Sequence, residues 1–88
     1  MTEFTTIENL DAGLRASYDA LIRYKQHICL ARINFEGKYR AEIYEFVDEP
    51  EIDGFSEIEC RIALIETADT LFPDSGAAIK WCFYKLDR

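Results

Sequence analysis

The sequence predicts an α+β fold in which two helices pack on a three-stranded antiparallel sheet. Three observations predict it. The chain has 88 residues, too few for two separate cores. It is 49% hydrophobic, which suits a compact core. Its apolar residues switch between helical and strand periods in the order α-β-β-α-β. We therefore expect residues 1–88 to form a single two-layer domain, with strands in spatial order 2-1-3 and both helices on one sheet face.

The first element is predicted as a helix from about Ile7 to Tyr24. Its apolar positions recur at steps of three and four residues, namely Ile7, Leu10, Leu14, Tyr18 and Leu21. Thr5 is the expected N-cap, because Glu8 follows it at the spacing of a capping box.

Residues 27–47 are predicted as a β-hairpin that turns at Gly37. Two alternating apolar sets define its inward face: Cys29, Ala31, Ile33 and Phe35, and then Tyr39, Ala41, Ile43 and Val47. A two-residue turn would place these sets on opposite faces. A three-residue loop, Phe35 to Gly37, places them together and gives Gly37 the left-handed conformation of a G1 bulge. The odd loop is the prediction, because a slip of one residue would bury charge.

The next segment is predicted as a helix that begins at the N-cap Ser56 and stops at Pro73. Its apolar stripe consists of Ile58, Ile62, Ile65 and Phe72, flanked by Leu64, Ala68 and Leu71. Residues 77–87 then predict the third strand, since Ile79, Trp81 and Phe83 alternate with Lys80, Cys82 and Tyr84.

The negative charge is concentrated in one stretch. The chain carries a net charge of −7, and residues 41–60 contain eight carboxylates with no Lys or Arg. The rest of the chain holds 10 basic and 9 acidic residues and is almost neutral. Direct nucleic-acid binding is not expected, because phosphate contacts need clustered cations. Arg32, Lys38 and Arg40 form the best positive patch, and solubility of the hairpin explains it sufficiently.

Catalytic and metal sites are not expected. A nucleophile pair would have to be His27 and Cys29, with no third group to orient the base. A zinc site would have to combine His27 with Cys29, Cys60 and Cys82, which lack the usual ligand spacings. Residues 49–54 resemble the start of a calcium loop, but Cys60 stands where the bidentate Glu is required. The sequence therefore predicts no enzyme, no cofactor and no metal.

The leading hypothesis is a small acidic module that binds a basic, nucleic-acid-binding protein as an inhibitor. Phage anti-CRISPR and antirestriction proteins act in this manner, a comparison of charge and class alone; an immunity or antitoxin protein is an alternative. Carboxylates that merely face solvent or favour a helix N-terminus are the competing explanation. The predicted partner-binding residues are Glu42, Tyr44, Glu45, Asp48, Glu49, Glu51, Asp53 and Phe55.

The second hypothesis is self-association through an open sheet face, which would make a homodimer or a structural subunit. The candidate patch contains Ile28, Leu30, Tyr44 and Phe46, with Tyr84 and Leu86 as further members. A cytoplasmic location and no membrane partner are expected, because no apolar run approaches the ~20 residues of a span and the first residues do not resemble a signal peptide. Three unpaired, buried cysteines would agree with a reducing compartment.

Overall fold

A computed structural model describes residues 4–14, 19–48 and 59–88. In chain order the elements are β1 (Phe4–Thr6), α1 (Ile7–Ala12), β2 (Ala20–Tyr24), β3 (His27–Ile33), β4 (Tyr39–Phe46), β5 (Arg61–Thr67) and α2 (Ser75–Leu86). Among the described residues, no helix has the length and apolar character that crossing a membrane requires.

The sheet is larger than predicted. It has five antiparallel strands in the order β1-β5-β4-β3-β2, so the three-stranded sheet of order 2-1-3 is wrong. The predicted element order α-β-β-α-β is wrong as well, although the α+β class is confirmed. The two described helices also lie on opposite faces of the sheet, and not together on one.

Two segments exchanged their predicted conformations. Residues 61–67 form β5, not a helix; Ile62, Ile65 and Thr67 are β-branched, which favours a strand, and β4 offers them an open edge. Residues 75–86 form α2, not a strand, and Asp74 is its N-cap through a 2.7 Å bond from Ala77 N–H. Trp81 and Phe83 are half-buried on either side of the stripe of Ala78, Ile79 and Cys82, and this produced the apparent alternation.

The first helix is much shorter than predicted. It ends at Ala12 with Gly13 as C-cap, and Thr6, not Thr5, is the N-cap that accepts Asn9 N–H at 3.1 Å. The end of the predicted helix is the strand β2, which pairs with β3 through a two-residue turn. Both turn residues, Lys25 and Gln26, have positive φ, as the type I′ hairpin turn requires.

The β3–β4 hairpin has the predicted register. Ile33 faces Tyr39, Ala31 faces Ala41 and Cys29 faces Ile43, so these parts of the inward sets coincide. Val47 was also predicted to point inward, and this is wrong, because it follows the end of β4 and is exposed. Residues 35–37 form the three-residue loop, because Asn34 N–H donates to Lys38 O at 2.8 Å, and Gly37 has φ +78°. Phe35 was predicted to point inward with Ile33, and this is wrong: the loop turns its side chain fully into solvent.

Each sheet face has its own apolar core. The α2 side packs helix α2 on one set of strand residues, and its buried members are Cys29, Ala31, Ala41, Ile43, Ala78, Ile79 and Cys82. The α1 side packs Leu10 of α1 on the alternate set, Ile28, Leu30, Tyr44 and Ile62. The face predicted to be open for self-association is therefore the floor of the α1 side, where Ile28, Leu30 and Tyr44 are buried and Phe46 is half-buried.

Candidate functional site

The structure separates the predicted partner-binding residues into different environments. Glu42 and Tyr44 are buried on β4, each 8% exposed, whereas Glu45, the last residue but one of that strand, is exposed. Asp48 follows β4 and is half-buried. Glu49, Glu51, Asp53 and Phe55 lie outside the described residues. Only Glu45, among the described members, offers its carboxylate freely to a partner.

Asp48 ties the end of β4 to the start of β5. Its Oδ2 accepts Arg61 N–H at 2.9 Å, and its Oδ1 lies 2.9 Å from Arg61 Nη2. The Arg61 guanidinium also lies over the ring of Phe4, 5.4 Å from its centre. Hydrogen bonds from the Arg61 side chain and backbone lower the pKa of Asp48. The pair brings the two ends of residues 49–60 together at one end of the sheet, so Asp48 has a structural role that its charge alone does not reveal.

Glu42 and Tyr44 form an internal polar group on the α1 side. Glu42 lies opposite Leu30 on β3 and Thr67 on β5. Burial raises the pKa of Tyr44, and the Glu42 charge and the hydrogen bond to Glu42 raise it further, whereas the positive charge of Arg32 opposes the rise. The partners of this carboxylate are thus within the fold, which explains its tolerance of burial.

A second polar region lies at the opposite end of the sheet, where the β3–β4 hairpin turns. Arg32 and Arg40 face each other across the two strands, and Lys38 precedes Arg40 on the same face; all three are exposed. Phe35 at the loop has a relative exposure of 105%. We call Arg32, Phe35, Lys38 and Arg40 the basic tip. The three cations are evident from the sequence, whereas the strand alternation wrongly predicts the aromatic ring in the core.

A surface pocket lies beside this end of the α1 side. It has a volume of about 350 Å³ and is lined by Asp11, Leu14, Asp19 and Leu21. Asp19 Oδ1 accepts Ile33 N–H at 2.8 Å, which fixes the start of β2 against the end of β3. The described lining thus combines two carboxylates with two leucines, and one of the carboxylates already holds a backbone donor.

The cysteines are buried, as predicted. Cys29, Cys60 and Cys82 are free thiols with 0% exposure. The pKa of Cys82 is raised, with the hydrogen bond to Cys29 as the larger cause and burial as the next. Cys82 Sγ lies 3.7 Å from Glu42 O. Substrate has no access to Cys29 beside His27 in this arrangement. Within the described residues no three His, Cys, Asp or Glu side chains converge as metal ligands would.

Comparison with known families gives one match. The family model described as nucleotide modification associated domain 4 (Nmad4) matches residues 1–86. The chain belongs to this family. Because the match spans both ends of the sheet, the acidic stretch and the basic tip are each part of the Nmad4 domain. No curated protein and no solved structure matches the chain. The Nmad4 description connects the family with nucleotide modification and names no reaction.

Proposed function

We propose that this Nmad4 chain is a non-enzymatic module that binds a basic surface of a nucleotide-modifying or other nucleic-acid-binding protein. The acidic stretch is the binding element. Its carboxylates would occupy the surface of the partner that otherwise contacts phosphates, so inhibition of nucleic-acid binding by the partner is the expected consequence.

One observation carries this proposal: the Asp48–Arg61 pair fixes the two residues that border residues 49–60 at one end of the sheet. Residues 49–60 contain five carboxylates and no Lys or Arg. Glu45, which precedes Asp48, and Glu59, which precedes Arg61, are both exposed. Negative charge of this density steers association with a cationic surface and makes that association sensitive to salt.

The structure determines which carboxylates are suitable for a test. Reversing Asp48 would break the bond to Arg61 and disturb the fold, and Glu42 is buried, so neither residue is suitable. The informative variant reverses Glu49, Glu51 and Asp53 to Lys together. The matched control reverses Asp11, Glu36 and Asp69, which are exposed carboxylates elsewhere, and it changes the net charge equally.

The partner is first isolated by affinity purification from the native host and then produced on its own for titration calorimetry. The triple variant is expected to lose at least about tenfold in affinity, and the control about twofold or less, because the effect depends on where charge meets charge. The purified partner should also release a labelled oligonucleotide when the wild-type protein is added. Equal affinities for the wild type and the triple variant would contradict the proposal.

A further inference from the structure

Phe35 lies at the hairpin tip, where its ring does not contribute to the packing of the described residues. The loop is shaped by its neighbours: Asn34 Oδ1 accepts the N–H groups of Glu36 at 2.9 Å and Lys38 at 3.0 Å. Gly37 supplies the positive φ. A phenylalanine ring at 105% relative exposure adds nothing to either core, and a polar residue would suit the loop better. The ring is therefore available as a stacking surface on a loop of defined shape.

The exposed charges of the two strands near this ring are positive, and the loop itself carries one exposed carboxylate, Glu36, next to Phe35. Arg32 and Arg40 lie directly opposite each other, an arrangement in which like charges repel. Neither forms an ion pair within the described part of the chain. Glu42, the next carboxylate on the same face of β4, is buried. An anion between the two guanidinium groups would turn the repulsion into two attractive contacts.

The spacing suits a phosphate. Side chains directly opposite each other on antiparallel strands have Cβ atoms about 4.5–5.5 Å apart, so both arginines reach one anion. Each guanidinium group can donate two parallel hydrogen bonds to phosphate oxygens. Lys38 lies two residues before Arg40 on the same face and can meet a second phosphate. Phe35 is three residues from Arg32, hence at most about 10 Å away along the chain.

We infer, against the expectation from the net charge, that the basic tip binds single-stranded nucleic acid, with a base stacked on Phe35 and the phosphate backbone on Arg32, Arg40 and Lys38. An aromatic ring beside a short cationic track is the combination that binds unpaired strands, because every base has a face to stack and every linkage carries a charge. Asp48 and Arg61 lie at the other end of β4 from Arg40, so their ion pair is remote from this contact. The inference goes beyond the proposed function, which uses that other end.

The test measures fluorescence anisotropy of a labelled oligothymidine, about ten nucleotides long, with the purified full chain. Wild-type protein is expected to bind at low salt with a Kd of about 1–100 μM, in the range of sequence-independent binding. Phe35→Ala should weaken binding by about 5- to 100-fold, whereas Phe35→Trp should retain it, because the loss is that of one base stack. Both variants change a fully exposed side chain and leave the core intact.

The charge arm compares Arg32→Gln/Arg40→Gln with Lys80→Gln/Arg88→Gln, a matched pair of exposed cations on or beside α2. The arginine variant should lose affinity, and its slope of log K against log salt should become shallower by about 0.7, as expected for one phosphate contact to a single strand. The control should keep the wild-type slope.

Three results would overturn the inference. The first is no binding of the oligothymidine at low salt. The second is an equal loss in the arginine variant and its control. The third is a preference for another anionic surface, measured as tighter binding to a duplex of the same length or to phosphatidylserine vesicles, with the same dependence on Phe35.

Discussion

The two sides of the sheet are covered very unequally. On the α2 side, a helix of 12 residues packs across β2, β3 and β4, and the strands present small residues such as Ala31, Ala41 and Cys29 to it. On the α1 side, a helix of 6 residues covers part of the floor, and the row of Arg32 and Arg40 is exposed beyond it. The α2 side thus contributes mainly to the stability of the fold. The other has room for polar groups, and the buried Glu42, the pocket and the basic tip all belong to it.

The largest expected effect tests this inequality by removing buried apolar volume on each side. Ile43→Ala beneath α2 should lower the free energy of unfolding by about 3 kcal/mol, and Leu10→Ala on α1 by about 2 kcal/mol, because the shorter helix can settle into the space. Urea denaturation followed by circular dichroism gives both values. Leu64→Ala, at a strand position that is 42% exposed, is the control and should cost under about 1 kcal/mol. Equal costs for Ile43 and Leu10 would remove the proposed difference between the sides.

A smaller effect concerns the titration of Tyr44 on the α1 side. Glu42→Gln should lower the pKa of Tyr44 toward its ordinary value of 10.0, and Arg32→Gln should raise it further, since the two charges act in opposite directions. Because the folded pKa is raised, the stabilising contribution is complete below about pH 10 and is lost as the pH rises through the folded pKa. Ultraviolet absorbance during an alkaline titration follows the ionisation, with Tyr44→Phe identifying the band. An unchanged pKa in Glu42→Gln would show that burial alone acts on Tyr44.

The smallest effect concerns the end of α2. Asp87 Oδ1 accepts a hydrogen bond from the Tyr24 hydroxyl at 2.8 Å and pairs with Lys25. These contacts lower the pKa of Asp87, with Lys25 as the larger cause, and they raise the pKa values of Tyr24 and Lys25. The contribution of Asp87 to stability is present above its unfolded pKa and is lost as the pH falls through its lower folded pKa. The contributions of Tyr24 and Lys25 are lost as the pH rises through their folded pKa values. Asp87→Asn should therefore reduce Tm slightly at neutral pH and not at strongly acidic pH. Asp69→Asn is the control, and a Tm difference independent of pH would contradict the assignment.

The hairpin and its register could be predicted because the information is local. Alternation fixes the inward set, and Gly37 fixes the length of the loop. The helical and strand states of residues 61–67 and 75–86 could not be assigned in the same way, because each segment has apolar residues on more than one face. Their conformations depend on the long-range pairing of β5 with β4 and on the docking of α2, neither of which a periodicity contains.

The candidate site shows the same limit. Asp48 is predictable as a carboxylate in an acidic stretch, but its bond to Arg61 spans thirteen residues and exists only because β4 and β5 are neighbours. Glu42 is predictable as a strand residue, and its burial follows from what packs on the α1 side. The exposure of Phe35, by contrast, can be predicted from the sequence, because residues in a three-residue loop no longer follow the alternation of the strand that precedes the loop.

The pairing of β1 with β5 has a consequence for the time course of folding. Strands β2, β3 and β4 are joined by short turns, so their contacts need little loop closure. Phe4 pairs with Ala63, and among the described strand pairs this one closes the longest loop of chain. Rates fall as such distant contacts become more important. Before β1 arrives, β5 is an unprotected edge that can accept a foreign strand. Three residues at the start of the described chain thus act as the closing step that shields the sheet from aggregation.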